Sequence, residues 1–289
     1  MLPLSQQATP DPAAILAALG LPAPEAAEVA TGGFDTSVWR VQIEGAPYAL
    51  RLLHPGQEAR AAREAAAMAA ARGGGLPVPI VRVQGTWEGR PVLLLDWCRG
   101  LTMVDAMRAH PAAARRLGRL FGLQQAALHA VPAPPCCDTS WLHAGGPPAE
   151  AVVRHLQALP ARADVLIHLD FHPFNVLADA VSCTGVIDWA NASAGDPRAD
   201  LARTYTILRL AAPPLLPPLL RAALLRFEAG WRQGYAEAAT MPADRDLAPF
   251  LAWAGFAMLV ELGAKRDPAV RGRVQAFAMR WASRAGIRP

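Results

Sequence analysis

The stretch Ile167-His168-Leu169-Asp170-Phe171-His172-Pro173-Phe174-Asn175-Val176-Leu177 decides how the rest of the chain is read. It gathers two histidines, an aspartate and an asparagine into one short loop bounded by apolar residues. Thirteen residues past Asn175 stands Asp188, in Val186-Ile187-Asp188-Trp189. Then comes Ala194-Gly195-Asp196-Pro197-Arg198-Ala199-Asp200-Leu201-Ala202. The apolar runs at 165–169, 176–177 and 185–187 read as short strands that hold polar loops rigidly.

These residue types suit phosphoryl transfer from ATP. That chemistry needs a carboxylate to orient the attacking hydroxyl and accept its proton. It also needs hard oxygen ligands for Mg²⁺ and a cation on the phosphates. Asp170 fits the first need, and Asn175 and Asp188 fit the second.

Working outward toward the N-terminus, residues 12–20 read as a short helix broken by Pro22 and Pro24. Thr31-Gly32-Gly33-Phe34 opens a glycine-containing turn. Val38–Ile43 and Tyr48–Leu53 read as strands joined by the turn Glu44-Gly45-Ala46-Pro47. The alanine-rich stretch 57–72 is a helix by propensity, stopped by Gly73-Gly74-Gly75 and kept from resuming by Pro77 and Pro79. Strands follow at Ile80–Val83 and Pro91–Leu95. After Gly100 the texture changes to long helices. Leu117, Leu120, Phe121 and Leu128 fall on one face at helical spacing. Residues 131–148 form a loop rich in proline and glycine, and the chain beyond Asp200 reads as helices interrupted by prolines.

His168-x-Asp170-x-x-x-x-Asn175 followed by Ile187-Asp188-Trp189 resembles the catalytic and metal-binding loops of the aminoglycoside phosphotransferase family, which shares its fold with protein kinases and choline kinases. The resemblance reaches most of the chain. Gly32-Gly33-Phe34-Asp35-Thr36 resembles the family's nucleotide-covering loop. Tyr48-Ala49-Leu50-Arg51-Leu52 resembles the strand bearing the phosphate-contacting cation, and Arg63-Glu64-Ala65 the helix bearing its acidic partner. Leu76-Pro77-Val78-Pro79 resembles the turn after that helix. Leu94-Leu95-Asp96-Trp97-Cys98-Arg99-Gly100 resembles the hinge between lobes.

The resemblance implies an α+β, bilobal, protein-kinase-like fold. A small antiparallel-sheet N-lobe with one inserted helix would span residues 1–97, and a larger, mostly helical C-lobe residues 98–289. It implies ATP and Mg²⁺ as cofactors and a hydroxyl of a small-molecule alcohol as acceptor. Asp170 would be the catalytic base, and Asn175 and Asp188 would hold the metal. Gly32 and Gly33 would cover the phosphates. Arg51 would contact the α- and β-phosphates and pair with Glu64. Ala49, two residues from Arg51 on the same strand face, would face the adenine. Leu95 and Trp97 pack at the hinge, whose backbone is available to adenine. His168 would support the loop and His172 would tune the site. Asp200 precedes an apolar helical run, where it caps the helix or bonds to the catalytic-loop backbone.

Two features depart from the family pattern. The usual lysine is Arg51, which presents a planar fork instead of a compact ammonium. Asp188 is followed by Trp189-Ala190 where Phe-Gly is usual. Only seven residues separate Asp188 from Asp196, which leaves no room for a long peptide-binding activation segment. The sole lysine, Lys265, lies outside any Walker A context. Two other readings stand beside this one. His168, Asp170, His172 and Asp188 have the side chains of a transition-metal hydrolase, although that leaves Arg51, Glu64 and Asn175 unexplained. A nucleotide-binding protein with little or no turnover would accommodate Arg51.

Bulk properties fit a folded enzyme. The chain has 289 residues, 53% hydrophobic and 18% charged, with a net charge of +4 carried almost wholly by arginine. No basic run with interleaved aromatics points to nucleic acid. Four cysteines without a C-x-x-C pair argue against zinc and fit a reducing cytoplasm. No signal peptide is apparent. The longest apolar stretch, Ala248–Val260, falls short of the roughly 20 residues that span a bilayer. Beyond Asp200 the acids are only Glu228, Glu237, Asp244, Asp246, Glu261 and Asp267, while tryptophans and aliphatics are plentiful. An acceptor less charged than an aminoglycoside is the expectation.

Overall fold

The computed structural model describes residues 10–30, 37–160, 162–211, 217–263 and 266–288. The chain divides into two units, Met1–Met68 with Pro79–Cys98, and Ala69–Val78 with Arg99–Pro289.

The first unit is built on an antiparallel sheet of β1 (Ala26–Val29), β2 (Ser37–Ile43), β3 (Ala46–Leu52), β4 (Val81–Trp87) and β5 (Arg90–Asp96). The strand order is β1-β2-β3-β5-β4. Two hairpins close through two-residue turns, Glu44-Gly45 (φ 50° and 74°) and Glu88-Gly89 (φ 50° and 69°). Positive φ at both positions matches the twist of the flanking strands, which is why glycine stands second in each. Alternation sorts the side chains. Trp39, Val41, Ile43, Leu50, Leu52, Val92 and Leu94 form one apolar face, capped by Ile15 and Leu16 of α1 (Pro12–Ala18). Ala49, Arg51, Leu93 and Leu95 have the opposite parity and lie on the other face. The inserted helix is α2 (Glu58–Gly73).

The second unit is mostly helical. Its long helices are α4 (Ala114–Leu128), α6 (Pro197–Leu210), α7 (Pro218–Ala238), α8 (Asp244–Leu262) and α9 (Pro268–Arg284). Shorter helices are α3 (Met103–Ala109) and α5 (Glu150–Ala158). Leu117, Phe121 and Leu128 of α4 are buried as their spacing predicts, and Leu120 is half-buried. Gly118 and Gly122 on α4 meet Gly230 and Gly234 on α7 at backbone distance. A Cβ on Gly118 would lie 2.0 Å from the Phe227 carbonyl oxygen, and one on Gly230 would lie 2.0 Å from that of Arg115. Residues 247–258 of α8 are all buried, and no helix of the described residues is long and apolar enough to cross a membrane.

Between these helices run short strands: β6 (Leu101–Thr102), β7 (Val165–Ile167), β8 (Val176–Ala178), β9 (Cys183–Val186) and β10 (Ser193–Gly195). β6-β8-β9 form one small sheet and β10-β7 another. They anchor the ends of two loops, 168–175 and 187–192. The whole is the α+β arrangement expected from the sequence, an antiparallel N-terminal sheet with one inserted helix followed by a helical remainder.

Candidate active site

Two loops meet in the second unit. The Ile187 N–H donates to the Asn175 carbonyl at 2.9 Å, so Asn175 and Asp188 are brought together by backbone. His168 ties the loops a second time, through Nε2 and the Ile187 carbonyl oxygen at 3.1 Å. Its Nδ1 accepts the Asp170 N–H at 3.3 Å. These partners assign the neutral Nε2–H tautomer. Burial pushes the His168 pKa down and outweighs the pull of Asp200, Asp170 and Asp188, so the ring is held neutral. It packs against Trp189 and Phe171 with centroids 4.8 and 5.8 Å away. With both nitrogens engaged by backbone, His168 has no lone pair for a metal, and the transition-metal reading loses a ligand. Among the described residues, no group of three or more His, Cys, Asp or Glu side chains is arranged to hold a metal.

Asp170 is half-buried, its side chain 25% exposed. Its Oδ2 accepts from Asn175 Nδ2 at 3.1 Å. The same Nδ2 lies 3.1 Å from the Asp170 carbonyl oxygen. The Phe174 N–H donates to His172 Nδ1 at 3.2 Å, and His172 Nε2 lies 3.4 Å from Asp170 Oδ1 and 3.3 Å from Asn175 Nδ2. Burial raises the Asp170 pKa, but the His172 hydrogen bond and the charge of Arg203 lower it by more. The net shift is downward, so the carboxylate is ionised at neutral pH. A carboxylate held ionised near a hydroxyl can accept its proton.

Asn175 directs its amide nitrogen at Asp170, and Asp188 is exposed. One amide oxygen and one carboxylate are a donor set that fits Mg²⁺, which takes few protein ligands and completes its shell with water and phosphate oxygens. Leu169 and Asp188 both have φ 62°. Left-handed backbone at side-chain-bearing residues costs about 1–3 kcal/mol and persists only where the surroundings impose it. For Leu169 the constraint is Asp200, whose Oδ1 accepts the Leu169 N–H at 2.5 Å. Asp200 therefore bonds to the backbone of the 168–175 loop. The cap of α6 is Asp196, which accepts the Arg198 N–H at 2.8 Å.

In the first unit, Arg51 Nη1 lies 2.7 Å from Glu64 Oε2, with Glu64 fully buried and Arg51 9% exposed. Arg60 Nε lies 3.3 Å from Glu64 Oε1. Ala49 sits opposite Leu95 in the sheet, half-buried against a buried partner. Arg40 stacks on the Trp97 ring at 5.2 Å. Gly32 and Gly33 lie outside the described residues.

The sequence reading did not single out Arg203, Thr204 or Gln125. Gln125 Nε2 donates to Asp200 Oδ2 at 3.0 Å and to Thr204 Oγ1 at 2.9 Å. Thr204 donates to the Phe171 carbonyl oxygen at 2.7 Å. For Arg203 and Thr204, a position on α6 one turn past Asp200 is the only signal the sequence offered. Phe174 is another addition: it is 52% exposed beside Asn175, with the Arg108 guanidinium 6.0 Å from its ring.

Comparison with known proteins agrees with this fold. No match was found among curated protein sequences. Aminoglycoside phosphotransferase APH(4)-Ia superposes with a TM-score of 0.69 at 16% identity, over 94% of this chain and 98% of that one. A thermostable mutant of that enzyme forms a ternary complex with AMP-PNP and hygromycin B. Macrolide 2′-phosphotransferase MphH from Brachybacterium faecium gives a TM-score of 0.58 at 21% identity, over 92% and 97% of the two chains. APH(3″)-Id from Streptomyces rimosus gives 0.57 at 17%, over 80% and 92%. The sequence profile of the phosphotransferase enzyme family matches residues 25–154 and 146–239. Those segments take in α2, β3 and both polar loops, and the chain belongs to the phosphotransferase enzyme family.

Proposed function

We propose that the protein transfers the γ-phosphoryl group of ATP to a hydroxyl of a small molecule, with Asp170 as the proton acceptor. The observation that carries this reading is the loop geometry. Asp170 is ionised and bonded to Asn175, and Asn175 is bonded through its carbonyl to the residue before Asp188. Residues 1–97 would serve the nucleotide and residues 98–289 the chemistry and the acceptor.

In the reaction, the acceptor oxygen bonds to the γ-phosphorus while the bond to the β,γ-bridging oxygen breaks. ADP leaves, and the hydroxyl proton passes to the Asp170 carboxylate. Asn175 and Asp188 would hold Mg²⁺, which when bound neutralises charge on the phosphate oxygens. Arg51, oriented by Glu64, would contact the α- and β-phosphates. Ala49 and Leu95 would offer the adenine an apolar floor, and Gly32 and Gly33 would cover the phosphates. His172 would hold the Asp170 carboxylate in place. The exposed Phe174, backed by Arg108, favours an acceptor with an apolar or flat surface over a polycation.

The first test is thermal stability of the purified protein with ATP or ADP, with and without Mg²⁺. Ligand at about 100 times its Kd adds roughly 2.7 kcal/mol. A shift in Tm that needs Mg²⁺ and is absent from Asp188→Ala supports the site, and no shift with any nucleotide refutes it. Arg51 gives the second reading its one support. A Mg²⁺-dependent shift without any ATP turnover would identify a binder with no catalysis.

A further inference from the structure

The two peptide groups that precede Asp170 are held from a single face of α6. The 168–169 peptide is fixed by Asp200 on the Leu169 N–H. The 169–170 peptide is fixed at both ends. Arg203 Nε donates to its carbonyl oxygen at 3.1 Å, and its N–H donates to His168 Nδ1 at 3.3 Å. Beyond Asp170, the Phe171 carbonyl is held by Thr204. Positions 200, 203 and 204 are one helical turn apart and share a face. Asp170 is thus pinned through its neighbouring peptides on both sides while its side chain stays partly open to solvent.

Arg203 stands apart from the other two anchors. It is a guanidinium only 4% exposed. Its Nη2 reaches Glu261 near the end of α8, 2.8 Å from Oε1 and 3.0 Å from Oε2. Among the described residues, its Nη1 is buried without a hydrogen-bond partner. Desolvating an arginine and leaving one nitrogen orphaned is unfavourable, and an apolar side chain of similar volume would pack there at less cost. The arrangement is explained if the fork itself is needed, with Nε on the catalytic loop and Nη2 anchored to a second helix.

We propose that Arg203, tethered by Glu261, is a positioning residue for Asp170. It fixes the plane of the 169–170 peptide and thereby the direction in which the Asp170 carboxylate projects. The proposal rests on the reading of Asp170 as the proton acceptor. Glu261 is half-exposed, so the tether can be cut without emptying a core.

The experiment measures Mg²⁺-dependent ATP hydrolysis, with water as the acceptor, in the wild type, Asp170→Asn, Arg203→Met, Arg203→Lys and Glu261→Gln. All are assayed well below their Tm. Asp170→Asn should remove hydrolysis. Arg203→Met should lower kcat by ~10- to 100-fold, as expected when a reacting group is slightly misplaced, with KM for ATP changed less than about twofold. Glu261→Gln should lower kcat alone by a smaller factor. Arg203→Lys should recover part of the loss, since an ammonium can serve the carbonyl or the carboxylate but lacks the fork. Wild-type kcat in both Arg203→Met and Glu261→Gln, beside an inactive Asp170→Asn, overturns the proposal. So does a loss that only mirrors the unfolded fraction. If Arg203→Met does not fold, Glu261→Gln decides alone. Hydrolysis undiminished in Asp170→Asn, or absent from the wild type, overturns the underlying reading of Asp170 instead.

Discussion

Asp170 takes a hydrogen bond from Asn175, faces His172 and lies under the influence of Arg203, and the last two favour its charged form. Replacing it with asparagine keeps the shape and removes the proposed base. Turnover with any accepted alcohol should then fall by ~10²- to 10⁴-fold, with nucleotide-induced stabilisation retained. Parallel loss of binding and turnover would count against a purely chemical role. Arg51 offers a second test. Arg51→Ala should raise KM for ATP about tenfold or more and also lower Tm, because Glu64 would be left as a buried charge that, among the described residues, has only Arg60 at ion-pair distance. Arg51→Lys should restore both, since an ammonium reaches one carboxylate oxygen and one phosphate. Asp170, Asn175 and Asp188 could be singled out in the sequence by side-chain chemistry within two polar loops between short apolar runs, and His168 through the family resemblance. Arg203 was not legible. In a chain whose cations are nearly all arginine, one more arginine on a helix carries no mark, and only the fold shows that it is buried beside the loop.

Among the elements, α4 and α7 show how much a pattern of small residues can specify. Gly118 and Gly122 on one helix, and Gly230 and Gly234 on the other, repeat at a spacing of four, and each faces the backbone of the partner helix. A Cβ at Gly122 would lie 2.2 Å from the Trp231 carbonyl oxygen and 2.6 Å from the Tyr235 nitrogen, atoms that move only if the helices part. Gly272, exposed on α9, has no positive φ, and a methyl group added there would meet nothing within 4 Å. Alanine at these two sites should therefore act in opposite directions. Gly122→Ala should destabilise by about 1–3 kcal/mol or more. Gly272→Ala should stabilise by roughly 0.5–1 kcal/mol through helix propensity. Thermal melts of the two variants decide it, and a neutral Gly122→Ala would mean the helices are less tightly apposed than the structure has them. The spacing was visible in the sequence, but glycine in a helix reads first as a weak former, so its packing role emerges only once α7 is placed. The strand β1 was likewise missed. Its four residues are all exposed, so Ala26-Ala27-Glu28-Val29 carries no alternation to read.

For the molecule as a whole, Asp200 is where the fold and the site depend on the same charge. It is fully buried and accepts from the Leu169 N–H, Gln125 Nε2 and His129 Nε2. It joins α4 and α6 to the loop that carries Asp170. Burial alone would raise its pKa. The hydrogen bond and charge of His129, with the hydrogen bond of Gln125, overcome that and hold it below its ordinary value of 3.8. A folded-state pKa below the unfolded one means that the unfolded chain takes up the proton first as the pH falls. The stabilisation is thus complete above about pH 4 and is lost progressively in stronger acid. Asp200→Asn removes the charge at every pH and turns one acceptor into a donor facing Gln125 or His129. Near pH 7 it should cost ~3 kcal/mol, lowering Tm by roughly 6–12 °C. Below pH 4 the wild type loses the same charge, so the two melting curves should draw together. Melts of both proteins from pH 7 to pH 3 measure that gap. A gap constant over the whole range would show that the anchor acts by shape alone, and one that closes only in acid would show that the charge of Asp200 holds the 168–175 loop in its left-handed turn.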